Sequence, residues 1–154
     1  MSAVSEKKVH ITPLQNGTSL DHLKPGTALK ILEVLKTGGN RVSVAMNVDS
    51  RLMLVKDLIF IEGKEISKEE LDKIALIGKG GTLNIIKNAK VVRKEQIHYP
   101  EVVHGIMKCI NPNCITNKEE LETKFHLTST NPLKAKCYYC EVRMEENEII
   151  NSIK

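Results

Sequence analysis

The four cysteines of this chain, Cys109, Cys114, Cys137 and Cys140, stand as a C-x4-C pair and a C-x2-C pair with twenty-two residues between them. Two short loops that each offer a close pair of thiolates can bring four sulfurs to about 2.3 Å from one zinc ion, and the span between them is long enough for a hairpin. No cysteine is left over and no histidine is needed to complete a tetrahedron. Four thiolates fill the coordination sphere, whereas catalytic zinc keeps one position open for water or substrate. The spacing therefore predicts one structural zinc ion per chain.

Other thiol chemistries fit the sequence less well. A disulfide framework requires an oxidising compartment, yet the N-terminus MSAVSEKKVH carries Glu6, Lys7 and Lys8 and lacks the apolar stretch of an export signal, so a cytoplasmic protein is expected. A redox pair at Cys137 and Cys140 should precede a helix, but Glu141-Val142-Arg143-Met144-Glu145 alternates polar and apolar residues like a strand. Residues 101–154 are too few to bury a self-sufficient apolar core. Folding there should depend on the metal, which is worth on the order of 10 kcal/mol in small zinc modules.

The remaining chain supplies a separate unit. Cysteines are confined to one end, and Tyr99-Pro100-Glu101 offers a break, which places domains at residues 1–100 and 101–154. Residues 1–100 carry 16 Lys and Arg against 11 Asp and Glu, and residues 101–154 carry 7 against 8. The basic half favours an anionic ligand. The longest apolar runs, Leu58–Ile61 and Ile74–Ile77, are far short of the roughly 20 residues that cross a bilayer.

Periodicity gives the elements of the first half. Val9, Ile11 and Leu14 suggest an opening strand, with a turn at Asn16-Gly17. Ala28, Ile31, Leu32 and Leu35 then form a helical stripe that Gly38-Gly39 ends. Arg41–Val48 and Asp57–Ile61 read as an antiparallel pair turning near Asp49-Ser50. Ser67 and Glu70 form a capping box for a helix with Leu71, Ile74 and Ala75 inside, stopping at Gly78. Thr82–Ile86 and Ala89–Val92 make two more strands. The order predicts an α+β chain: an N-terminal ferredoxin-like sheet-and-helix domain followed by a small all-β zinc-binding domain.

No reaction centre is legible. Gly78-Lys79-Gly80-Gly81 lacks the spacing and the Lys-Ser/Thr ending of a phosphate loop and reads as a helix-to-strand turn. The histidines at 10, 22, 98, 104 and 126 accompany no recognisable nucleophile. Asp21, taken locally, is a turn or helix-entry acceptor.

The wider pattern carries more. Asn16-Gly17-Thr18-x-Leu20-Asp21-His22, Lys56-Asp57-Leu58-Ile59-x-Ile61-Glu62, Thr82-Leu83-Asn84-Ile85-Ile86, Val91-Val92-x-Lys94, Cys109-x-Asn111-Pro112-Asn113-Cys114 and Cys137-Tyr138-Tyr139-Cys140-Glu141 follow in order along both halves. Together they resemble the regulatory chain of aspartate carbamoyltransferase. The resemblance implies a non-catalytic subunit of pyrimidine biosynthesis that binds the nucleotide effectors CTP and ATP in its N-terminal domain. It also implies a homodimer of regulatory chains, a zinc domain gripping the trimers of catalytic chains, and a dodecamer of six catalytic and six regulatory chains, with no nucleic acid or membrane partner.

Carried over by position, Asp21 and His22 would lie beside the nucleotide's sugar and phosphates, with Lys94 as a phosphate partner. Asn84, Ile86 and Val91 would line the pocket, and the backbone around Thr12 and Leu14 would read the base edge. Asn111, Asn113 and Glu141 are similar to residues that contact the catalytic chain. Phe60 stands where the family pattern has a lysine, and Ser19 where an apolar residue is usual. Lys56 is four strand positions from Phe60, about 13 Å, and would need a flexible arrangement to compensate. Effector binding would act by allosteric coupling, shifting two quaternary states by about 1–3 kcal/mol. The alternative is a zinc-ribbon protein that binds nucleic acid, against which stand a near-neutral metal half and only 3% aromatic residues.

Overall fold

The computed structural model describes residues 15–154, so the expected opening strand at residues 9–14 falls outside them. The first strand described, β1 (Gly17–Leu23), occupies the stretch between the Asn16 bend and the first helix, where sequence reading assigned no element. It is the central strand of the first sheet. Helix α1 (Ala28–Val34), strands β2 (Val42–Ser50) and β3 (Leu54–Glu62), helix α2 (Lys68–Gly78) and strands β4 (Thr82–Lys87) and β5 (Lys90–Gln96) follow. The strand order is β2-β3-β1-β4-β5, with every pairing antiparallel. This is the expected ferredoxin-like arrangement with one added edge strand.

Alternation along the strands decides which face is buried. Leu20, Leu23, Ile59, Ile61 and Leu83 point inward to meet Ala28, Ile31 and Leu35 around α1 and Ile74 and Ala75 of α2. Both helices thus cover one face of the sheet. The Ser67/Glu70 capping box is present at the start of α2. Helix α1 has no side-chain cap of its own at Thr27 and stops at Val34, short of Gly38-Gly39. Its N-terminus is held instead by the wholly buried Asp57 of β3, whose Oδ2 accepts from the Gly26 and Ala28 amides at 2.9 and 3.2 Å. Oδ1 of the same carboxyl accepts from the Asn47 amide at 3.0 Å, at the bulge of β2. At Gly17, φ is +147° and an added Cβ would stand 2.1 Å from the Ile61 carbonyl oxygen, so β1 can approach β3 there only as glycine.

The second sheet has order β6-β7-β8-β9, from β6 (Val102–His104), β7 (Lys124–Thr130), β8 (Leu133–Cys137) and β9 (Arg143–Glu145). Two short helices, α3 (Ile115–Lys118) and α4 (Glu146–Ser152), accompany it. Its core gathers Val103, Met107, Phe125, Leu133, Met144 and Ile149 around the cysteines, and Leu76 of α2 enters the same cluster. Helix α2 therefore serves two cores, sending Ile74 and Ala75 into one and Leu76 into the other. Among the described residues, no helix is long and apolar enough to cross a membrane.

Candidate functional site

The four sulfurs converge from separate elements. Cys114 precedes α3, Cys137 closes β8, and Cys109 and Cys140 lie in the flanking loops. The Cys109–Cys140 and Cys114–Cys137 Sγ distances are 3.6 and 3.8 Å, and all four sulfurs lie within 4.8 Å of one another. A tetrahedron with metal–sulfur bonds of about 2.3 Å has edges of about 3.8 Å, so the cluster fits one four-coordinate ion with little movement. The Asn117 side-chain amide ties the first loop by donating to the Cys109 and Asn111 carbonyls at 2.9 and 2.7 Å. The second loop turns through Glu141, at φ +63°, whose amide donates to the Cys137 carbonyl at 3.0 Å.

Burial, reinforced by the neighbouring thiols, pushes Cys109 and Cys137 up. At Cys140 burial also acts upward, but hydrogen bonds from the Val142 amide and the Asn111 side chain outweigh it and bring the thiol down to about 7. Four sulfurs packed this closely cannot all ionise without a cation among them. This is the chemistry of a closed structural metal centre.

The first sheet gathers the other candidates. Cross-strand partners share a face, and the register sets Ser19 opposite Phe60 and Asn84, Asn84 opposite Lys94, Ile86 opposite Val91, and Asp21 opposite Thr82. Asp21, Asn84, Ile86, Val91 and Lys94 therefore share the face turned away from α1 and α2. Ser19 Oγ accepts from Asn84 Nδ2 at 3.1 Å, fixing the amide in the middle of this face. At the bulge after Leu20, His22 adopts φ +55°, its amide donates to Asp21 Oδ1 at 2.6 Å, and its Nδ1 lies 3.3 Å from Thr82 Oγ1. Asp21 is thus a strand residue, not a helix-entry acceptor.

Lys56 also reaches this face, with Nζ 2.8 Å from Asp21 Oδ1. This contact ties Lys56 to Asp21, whereas Phe60 stands further along the strand opposite Ser19. Burial would raise the Asp21 pKa, but the Lys56 ammonium and the His22 amide outweigh it and hold the carboxyl below the usual range. Phe60 is half-buried beside Ser19, while Val91 and Lys94 are exposed on the edge strand. Thr12 and Leu14 lie outside the described residues.

On the metal loops, Asn113 and Glu141 are exposed and Asn111 is half-buried, its Oδ1 accepting from the Asn113 amide at 3.0 Å. Ile110, Ile115, Tyr138 and Tyr139 expose apolar surface on the same loops.

Comparison with known proteins covers both halves of the chain. The family model described as the aspartate carbamoyltransferase regulatory chain, allosteric domain, matches residues 9–98, and that for the metal binding domain of the same chain matches residues 101–150. The chain belongs to the aspartate carbamoyltransferase regulatory-chain family. The regulatory chain of Pyrococcus horikoshii is 46% identical over 150 residues, covering 95% of this chain and 99% of that one. Those of Methanocaldococcus jannaschii and Methanococcus maripaludis strain S2 are 45% and 42% identical, over 91% and 96% of this chain and 95% and 97% of theirs.

As a regulatory chain, this protein has a two-domain layout, an allosteric sheet-and-helix domain followed by a small metal-binding domain. Sequence reasoning gave no role to Asp57, a carboxylate in a largely apolar stretch, and did not foresee the ion pair between Lys56 and Asp21. The exposed tyrosines of the second metal loop were visible as Tyr138-Tyr139 but were read only as part of a motif.

Proposed function

We propose that this regulatory chain binds nucleotide effectors, CTP and ATP, on the helix-free face of its first sheet and passes their differential binding to catalytic chains through a zinc-built docking domain. The observation that carries the reading is the joint placement of Asp21, Lys56, Asn84 and Lys94 on one face of the first sheet, separate from the sheet that carries the cysteines. Lys94 and Lys56 suit phosphates as point charges, Asn84 and Asp21 suit sugar hydroxyls, and Ile86 and Val91 give apolar walls. His22, fixed against Thr82, borders the phosphate end, and the backbone at Thr12 and Leu14 reads the base edge. Residues 1–100 act as the effector domain and residues 101–154 as the docking domain.

Zinc is the ion that best suits four thiolates in a tetrahedron, one ion per chain. With every position filled it does no chemistry on substrates. It fixes the loops that carry Asn111, Asn113 and Glu141 toward the catalytic chain. Edge strand β2, with Val44 and Met46 exposed, offers unpaired backbone to a second regulatory chain, consistent with a homodimer inside a cytoplasmic dodecamer of six catalytic and six regulatory chains.

The test is a titration of the reconstituted holoenzyme with CTP and with ATP across substrate concentrations. Opposite or unequal shifts of the substrate response are expected, because an effector acts only through its different affinity for the two quaternary states. An unchanged response to both nucleotides would exclude effector regulation by this chain.

A further inference from the structure

The outer face of the second sheet is unlike the rest of its domain. Core residues Val103, Phe125, Ala135, Cys137 and Met144 point to one side, where α2 and α4 supply Leu76 and Ile149. The opposite side is set by register. Val102 pairs with His126, His126 with Lys136, and Lys136 with Arg143, while His104 pairs with Lys124 in the adjacent row and Lys134 with Glu145 in the next.

Lys136 and Arg143 are thus direct cross-strand neighbours of like charge, with His126 beside them, an arrangement that weakens a sheet in isolation. Counter-charges are few. Glu141 and Glu145 reach Lys136 and Lys134 only at 3.8 Å, and among the described residues Lys124 and Arg143 have no carboxylate within 4.0 Å. Four of the seven Lys and Arg residues in 101–154, namely Lys124, Lys134, Lys136 and Arg143, stand in these outer rows. Tyr138 lies at the edge of this face, with Lys124 Nζ 4.4 Å from its ring centroid and Tyr139 edge-on at 5.3 Å.

We propose that the outer face of β7, β8 and β9, centred on Lys136 and Arg143 and bordered by Lys124 and Tyr138, is an electrostatic docking surface for an acidic patch of the catalytic chain. This rests on the docking role proposed above for the second domain. Charge complementarity favours an acidic protein surface, since a partner's carboxylates would relieve the like-charge row. The Lys136–Glu141 contact makes the face continuous with the metal loops, so one partner can cover both. Single-stranded nucleic acid is the poorer occupant, because Lys124 already sits over one face of the Tyr138 ring and aromatic residues make up only 3% of the chain, which leaves few stacking platforms.

The proposal separates stability from docking. In the full, metal-loaded chain, Lys136→Gln with Arg143→Gln should leave metal content unchanged and keep or raise the melting temperature, because it removes a repulsion. Association with purified catalytic trimers, followed across a salt series, should slow by about tenfold and lose much of its salt dependence. A Lys68→Gln chain, altered on α2, serves as the control and should associate like the parent.

If the parent docks and the double variant docks equally fast with the same salt dependence, the face is not used and the proposal is overturned while the docking role stands. If the parent itself fails to bind catalytic trimers, the docking role fails and the proposal with it. A salt-sensitive shift of single-stranded DNA, or self-association of the free chain, lost in the variant without any change in trimer association, would assign the face to another partner and also overturn it.

Discussion

Lys56 Nζ stands 2.8 Å from Asp21 Oδ1 on the helix-free face of the first sheet, both groups largely shielded by their neighbours. At the proposed effector site, an incoming triphosphate would compete with the Asp21 carboxylate for this ammonium. Lys56→Ala is expected to weaken CTP and ATP binding by about tenfold, the scale of one charge-assisted hydrogen bond. Lys94→Ala should act similarly without disturbing assembly. Calorimetry giving parental affinity for Lys56→Ala would remove that lysine from the site.

The same pair predicts a pH dependence. At Asp21 and Glu70, burial acts upward but is outweighed, by Lys56 and the His22 amide in one case and by Lys64 and the Ser67 cap in the other, so both pKa values are lowered on folding. A carboxyl depressed in the folded state contributes stability above its unfolded pKa and loses it as pH falls through the folded one. Melting temperature should therefore drop on the acid side, beginning near pH 4 and below. Lys56→Gln should flatten part of that drop, with a change well under about 1 kcal/mol because the pair is partly solvated. Parallel melting curves for the two proteins between neutral and acid pH would contradict the assignment.

Asp57 supplies a larger effect from a site that sequence alone hid. Its carboxyl holds the Gly26 and Ala28 amides on one oxygen and the Asn47 amide on the other, with no exposure to water. Asp57→Ala strands these donors and should cost about 3–5 kcal/mol in urea unfolding. Asp57→Asn keeps only one acceptor oxygen and turns an NH2 group toward amide donors, so it should rescue little. Full stability in the Asn variant would show that the charge and the second oxygen are dispensable.

The two halves were legible to different depths. The four cysteines, the Ser67/Glu70 capping box and the alternating strands are local patterns, and each reappears in the structure. Strand β1 was not, since Asn16-Gly17 at its start and Asp21 within it read as turn residues. Burial of Leu20 and Leu23 between two neighbouring strands overrides that preference, and Gly17 permits the close approach to Ile61. The Lys56–Asp21 contact was hidden for a related reason: it joins two strands, and register is invisible in a single strand's sequence. Likewise, the basic face of the second sheet emerges only when β7, β8 and β9 are set side by side.

Leu76 marks the last point where sequence periodicity misleads, because it belongs to a helix of the first domain and is buried in the core of the second. Metal and interdomain packing should therefore be coupled. Chelation, or Cys114→Ala, removes on the order of 10 kcal/mol of folding free energy from the cysteine domain. Its collapse exposes Leu76, so amide exchange should rise first across residues 101–154 and next in α2, with β1 and β3 protected longest. Leu76→Ala should cost about 2–4 kcal/mol of the metal domain's stability, yet leave the four sulfurs able to bind the ion. Mass-spectrometric exchange in which α2 stays fully protected after metal removal would show that the helix does not depend on the second core, and would remove it as a route for the proposed coupling.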